Sequence, residues 1–185
     1  VYTGDLSIGS GPYSGDLSDA MQFDGVIYVG NKDAYLDRYS ISQARWLSPI
    51  NTGSDVTQIV NDGVDVIVGT MGSGVHIIDT QGNVLDTWDT TDGLPSNDIA
   101  GLDVEGDMTV VIHPQNGASV FNKSSPGSVV ALNEGNSELD SDSPTGVAIH
   151  NGVAYIGTAD DGLNRYIIAN DTFLGSWVST GINDV

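Results

Sequence analysis

The chain has 185 residues, enough for one domain or a piece of a larger one, and 39% of them are hydrophobic, which suffices for a packed core. Its 25 acidic residues oppose 5 basic ones, a net charge of −20 that disfavours nucleic acids and anionic membranes as partners. Cysteine is absent, which excludes disulfides and thiolate metal sites, and no apolar run approaches the ~20 residues that direct membrane insertion as a helix requires.

All but three of the acids are Asp, and Gly occurs 24 times. Both residues favour turns over helices, so many turns and little helix are expected. The acid excess has two readings: a solvated surface suited to saline surroundings, or binding of divalent cations such as Ca2+. The sequence starts at Val1, without Met or leader, and reads as a processed or excised piece. Two sequons, Asn122-Lys123-Ser124 and Asn170-Asp171-Thr172, would accept glycans if the protein is exported.

In chain order, residues 1-18 read as the end of a preceding repeat or a linker, with "VYTG" followed by a Gly/Ser-rich run. Four similar units follow: 19-56, 57-99, 100-144 and 145-185, the last including the start of another. Each opens with a strand that runs into an acidic or amide residue and a Gly: Asp24-Gly25, Asp62-Gly63, Glu105-Gly106 and Asn151-Gly152. These glycines lie 38, 43 and 46 residues apart. Such a pair flanked by β-branched residues is a strong hairpin signal, and the second strands follow as "VIYVG", "VDVIVGT", "DMTVVIH" and "VAYIGT".

Third strands read "AYLDRYS", "GVHIIDT", "GASVFNK" and "GLNRYII", and fourth strands "ARWLS", "VLDTWDT", "SVVALN" and "TFLGSWVS". Trp46, Trp88 and Trp177 read as equivalent positions of the fourth strand, with Ala131-Leu132 standing in the third unit, and as core residues between units. Four short strands per unit of roughly 40 residues is the spacing of a β-propeller blade. The fold class is therefore all-β, about four blades of four antiparallel strands, as part of a larger or assembled propeller.

The link between the second and third units is "DGLPSNDIAGLDVEGD". Here Gly93 can take positive φ, Leu94 is apolar, Pro95 fixes φ and removes a donor, and Ser96 and Asn97 can bond nearby backbone, as a crossover between blades requires. With the following "NGASVFN" and the later "YIGTADDGLNRY", this stretch resembles the two-component-regulator type of propeller repeat, in which a Gly-Leu-Pro-Ser-Asn turn precedes the innermost strand. The motif is degenerate elsewhere, as "NTGSDV", "DSPTGV" and "TGINDV". The resemblance spans about Ser18 to Val185. It implies the propeller fold, and in the family's usual setting the periplasmic sensor region of a membrane-bound signalling protein.

Chemistry-bearing patterns are few. His76, His113 and His150 are spaced 37 and 37, out of step with the repeat, and are expected at the solvent or the core edge without converging. Candidate Ca2+ ligands are Asp140 and Asp142, which would point the same way in a strand, and Asp160 and Asp161 with Asn164. Asp86, Asp89 and Asp92 form a third acidic group, and none has the spacing of a dedicated calcium loop. No nucleophile elbow, phosphate loop or zinc-protease motif occurs, so no catalytic residue is assigned. Arg38 and Arg165, each beside a Tyr, are expected to pair with Asp.

The expectation is a non-catalytic, extracellular, cell-surface or periplasmic binding or scaffold module. Its blade-linking loops would meet a protein or carbohydrate partner, and an unpaired strand edge on a terminal blade would invite self-association. The rivals are the ligand-sensing region of a signalling receptor and part of a propeller-fold polysaccharide-active enzyme.

Overall fold

The structure, a computed structural model, describes residues 16–125, 127–135, 139, 141–159 and 162–177. Its strands pair antiparallel with their chain neighbours in four sheets. The first comprises β1 (Leu17–Phe23), β2 (Val26–Asn31), β3 (Tyr35–Ser40), β4 (Arg45–Trp46) and β5 (Ile50–Asn51), the last two both paired with β3. The second comprises β6 (Asp55–Asn61), β7 (Val66–Met71), β8 (Val75–Ile78) and β9 (Val84–Trp88). β10 (Gly101–Glu105), β11 (Met108–Ile112), β12 (Ala118–Asn122) and β13 (Val130–Leu132) form the third. β14 (Pro144–His150), β15 (Val153–Thr158), β16 (Gly162–Ile167) and β17 (Thr172–Trp177) form the fourth. Among the described residues the one helical element is the 3-10 turn Ile168–Asn170. This is a four-bladed β-propeller array.

The Gly pairs seen in the sequence close the inner hairpins. Asp24 and Gly25 have φ of 45° and 75°, and Asn151 and Gly152 of 50° and 71°, the left-handed pair that matches the twist of a two-residue hairpin. Because each blade runs up, down, up and down, the crossovers and the turns between second and third strands share one face of the array.

Neighbouring blades pack through their inner strands, β1 on β6, β6 on β10 and β10 on β14. Each junction has its own core: Tyr28 and Leu36 meet Val66 and Val68; Ile67 and Trp88 meet Leu102 and Phe121; Val110 and Leu132 meet Ile156 and Tyr166. Three cores thus join four blades, and among the described residues β14 and β1 do not pack on each other in this way. The burial of the second strands records this. β7 is buried on both faces through Thr70, whereas β2 and β15 alternate buried and half-buried in opposite phase.

Polar ties repeat along the array. The Asp19 carboxylate accepts the Ile59 N–H at 2.7 Å, Gln58 Oε1 accepts the Leu102 N–H at 2.9 Å, and Asp103 accepts the Ile149 N–H at 2.9 Å. Glu105 accepts both Asn151 N–H and Gly152 N–H in the next blade's hairpin turn. On the same side, Lys123 of the third blade reaches back to Asp62 and Asp65 in the hairpin turn of the second, at 2.5 and 3.1 Å.

Register corrects two expectations. Ile50, Trp88, Leu132 and Trp177 are the equivalent fourth-strand positions, opposite Leu36, Val75, Ala118 and Leu163. Trp46 instead lies opposite Tyr39, on the other face of its sheet, because the fourth strand of the first blade breaks into β4 and β5. Trp88 is core, but Trp177 is 58% exposed. Nor, among the described residues, do Arg38 and Arg165 pair with Asp. Arg38 donates to the Ser48 carbonyl and, across the junction, to the Gln81 carbonyl. Arg165 donates to the Leu174 carbonyl and lies 4.2 Å over the Trp177 ring. Both sit on sheet faces, where carbonyls and rings are the available partners.

Candidate functional site

The Gly93–Asn97 stretch is the crossover from β9 to β10. Gly93 takes φ of 107° and Leu94 is buried. The Asn97 carbonyl accepts the N–H groups of Gly72 and Gly74, and its side chain accepts the Thr90 N–H at 2.8 Å. Ser96 Oγ accepts the Asp98 N–H at 3.0 Å. Pro95 is half-buried between them. The polar groups of the loop are thus spent on fixing the crossover to the β7–β8 turn.

The acidic candidates do the same work. Asp89 accepts the Thr91 N–H and hydroxyl, which hold its carboxyl below the usual range, and Asp92 accepts the Asp89 N–H. Asp86 is exposed on β9 and accepts the Thr87 N–H. Asp142 accepts the Glu134 N–H at 2.8 Å in the crossover to the fourth blade. Asp140, Asp160 and Asp161 lie outside the described residues. Asn164 is 1% exposed on β16, with both amide atoms unpartnered. Among the described residues no three acidic or histidine side chains group as metal ligands. Asn122 is half-buried at the end of β12, its side chain accepting the Ser124 N–H, and Asn170 is exposed in the 3-10 turn.

Two histidines are more buried than their sequence suggested, because they fasten crossovers. His76 Nε2 donates to the Thr52 carbonyl and Nδ1 accepts from the Thr87 hydroxyl, both at 3.0 Å. His113 Nδ1 donates to the Asp98 carbonyl at 3.0 Å and Nε2 accepts from the Ser119 hydroxyl at 2.9 Å. A carbonyl can only accept, which fixes each tautomer. Burial pushes both imidazoles below their ordinary pKa. His150 is exposed beside its hairpin turn, bonded to Asn151.

A cleft of about 380 Å³ opens on the crossover face where the first and second blades meet, lined by Leu17, Ser18, Lys32, Asp55, Val56, Thr57 and Met71. Bulges at the start of β1 and β6 place Ser18 and Thr57 at matching positions. A bulge re-aims the side chain it carries. Ser18 Oγ lies beside Gly30 and Val56 at this junction, whereas the Thr57 hydroxyl, buried and without a partner, lies on the far side of its strand, by Gly69, Ile99 and Leu102. Lys32 and Asp55 are exposed and of opposite charge, while Leu17 and Met71 supply apolar surface. The cleft can therefore hold an apolar group flanked by groups that donate, accept and carry charge. None of these residues stands out in sequence.

No family model and no curated protein matches the chain. Its fold is similar to the crystal structure of the computationally designed Ika8 protein, with TM-score 0.73 and 16% identity over 89% of this chain and 49% of that one. It is also similar to the designed Ika4 protein, with TM-score 0.71 and 16% identity over 84% of this chain and 93% of that one. A third similar structure is the extracellular domain of the putative hybrid two-component system BT3049 from B. thetaiotaomicron, with TM-score 0.69 and 20% identity over 93% of this chain and 25% of that one. The chain spans about half of the first of these chains and a quarter of the third.

Proposed function

We propose that the chain is a non-catalytic, extracellular or periplasmic binding module whose cleft between the first two blades takes a segment of a protein partner. The observation that carries this reading is a cleft in which Lys32 and Asp55 flank the Ser18 hydroxyl, with Met71 beside them. An aliphatic side chain on a peptide backbone matches that lining. A carbohydrate is the weaker fit, because no aromatic ring lines the cleft to stack on a sugar. The two-component resemblance and the extracellular neighbour support the address and favour a second reading, in which the module is the sensing region of a receptor.

The test is a screen of soluble peptide libraries and glycan arrays against the chain, followed by calorimetry on the binders. Lys32→Ala, Asp55→Ala and Ser18→Ala should each weaken a peptide binder about tenfold or more. Binders indifferent to all three substitutions, or binders that are all glycans, would overturn the proposal.

A further inference from the structure

The face that the fourth blade turns away from the third matches, at three positions, the face that the second blade turns toward the third, while Tyr155 and Arg165 stand where Ile67 and Ile77 stand. Trp177 and Leu163 stand where Trp88 and Val75 stand. Trp88 is 2% exposed and stacks on Phe121 of the following blade with ring centroids 4.5 Å apart, whereas Trp177 is 58% exposed. Gly69 and Gly157 are likewise equivalent, each opposite the residue that pairs with the tryptophan. A Cβ on Gly69 would meet Leu102 and Ile99 of the next blade at 2.7 and 3.0 Å. On Gly157 it would meet, among the described residues, only its own blade, at 3.8 and 3.9 Å. Gly30 shows what occupies such a position, since its Cβ would collide with Val56 of the second blade.

The first blade carries the matching surface on the side away from the second. Ile27, Val29 and Tyr39 correspond to Val66, Val68 and Ile78, which are fully buried, but are themselves half-buried. Tyr39 corresponds to Phe121, the ring on which Trp88 stacks, and Leu17 corresponds to Val56. Leu17 is 50% exposed.

We propose that a second copy of this chain docks here. Its first blade packs on the fourth blade of its partner copy, and two copies close one ring. Trp177 then stacks on Tyr39, Leu17 seats over Gly157, and Arg165 reaches the β3–β4 turn, as Arg38 reaches Gln81 within the chain. Two copies of four blades make eight, inside the range of about 4 to 8 that propellers use. The docking element is a sheet face, not the strand edge expected from sequence.

The polar groups favour a separate copy over a further blade joined in the same way as the others. Gly146, Ala148 and His150 stand where Asp19 or Gln58, Asp103 and Glu105 supply acceptors to the next blade. The Ala20 N–H, equivalent to the Ile59 and Leu102 N–H groups, is taken by the carboxylate of its own neighbour Asp19 at 2.8 Å. The junction therefore lacks the inner-strand side-chain acceptors that fasten the others, as suits a reversible contact. The net charge of −20 on each copy opposes it, so association strengthens with salt.

Sedimentation at about 0.5 M NaCl, where screening reaches only a few ångströms, should give twice the 19.3 kDa mass of one chain. Gly157→Val should return the mass to one chain and, at low salt and low concentration where both proteins are single chains, leave the melting temperature unchanged, because no described atom of its own blade lies within 3.8 Å of the new Cβ. Trp177→Ala should raise the dissociation constant about tenfold or more. Val64→Ser, in the exposed turn of the second blade, should leave the mass doubled. A single-chain mass at high salt and high concentration, a doubled mass for Gly157→Val, or growth beyond two copies would overturn the proposal. None of these substitutions touches the cleft, so failure here leaves the binding reading standing.

Discussion

The second and fourth blades match at three positions of their forward faces and meet different surroundings. In the second, Val75, Trp88 and Gly69 press against the third blade; in the fourth, Leu163, Trp177 and Gly157 face outward. Residue identity at these positions follows the repeat, while burial follows the neighbour. A tryptophan in a repeat protein is thus evidence of an interface before it is evidence of a core. The same holds for the half-buried Ile27 and Val29, whose counterparts Val66 and Val68 are sealed.

The sharpest way to break the comparison is to truncate both rings. Trp88→Ala should cost about 3 to 5 kcal/mol, since it removes a buried ring and its stack on Phe121. Trp177→Ala in the isolated chain should change stability by less than about 0.5 kcal/mol. Urea denaturation of the two variants decides it, and similar losses would mean that Trp177 is already covered. The glycines give the reciprocal experiment. Gly69→Val overpacks the second junction against Leu102 and Ile99 and should cost about 1 to 3 kcal/mol or more. Gly157→Val should be neutral by the same measurement.

A smaller effect separates a junction fastened by charge from one fastened by packing. Lys123 lies between Asp62 and Asp65, its side chain 10% exposed. Burial alone would raise the Asp62 carboxyl, yet the hydrogen bonds from Lys123 and from the Asp65 and Val64 N–H groups hold it below its usual value. Lys123→Met leaves Asp62 without its cation and should cost about 2 to 3 kcal/mol, less than a fully buried pair. The loss should be largest near neutral pH and shrink as Asp62 is protonated in acid, because a carboxyl with a lowered folded-state pKa contributes only above the pH at which it ionises.

Much of the fold was legible because the repeat is written in turn chemistry. Asp24-Gly25 and Asn151-Gly152 fix hairpins through their own φ preferences, and Gly93 with Pro95 marks the crossover. Trp46 was misleading for a physical reason. Its place in the string fits the fourth strand, but the break between β4 and β5 moves the equivalent position to Ile50. The cleft was not legible at all. Lys32, Asp55 and Ser18 come together only because two inner strands bulge at the same height, and a bulge leaves no composition signal in a strand of seven residues. The polar partners of Arg38 were hidden likewise, being carbonyls from loops 10 and 43 residues away.

The smallest expected effect distinguishes interior junctions from the ends through acid. His113 sits at the junction of the second and third blades; the matching position is Asn31 in the first blade and Thr158 in the fourth. Burial lowers its pKa, against the opposing pull of the Asp98 carbonyl and carboxylate. Above about pH 6.5, the ordinary value for an unfolded histidine, both folded and unfolded chains carry it neutral and its contribution is fully present. As pH falls below that, the unfolded chain takes up a proton that the folded chain resists, so stability drops until the lowered folded-state pKa is reached. His76 acts in the same direction at the first junction. Protonation of the surface acids changes self-repulsion in wild type and variant alike, so the difference between them isolates the imidazole. His113→Gln should therefore flatten the fall in urea midpoint between about pH 7 and pH 5. A wild-type midpoint that falls no more steeply than that of the variant would place the protonation of His113 outside the folding equilibrium.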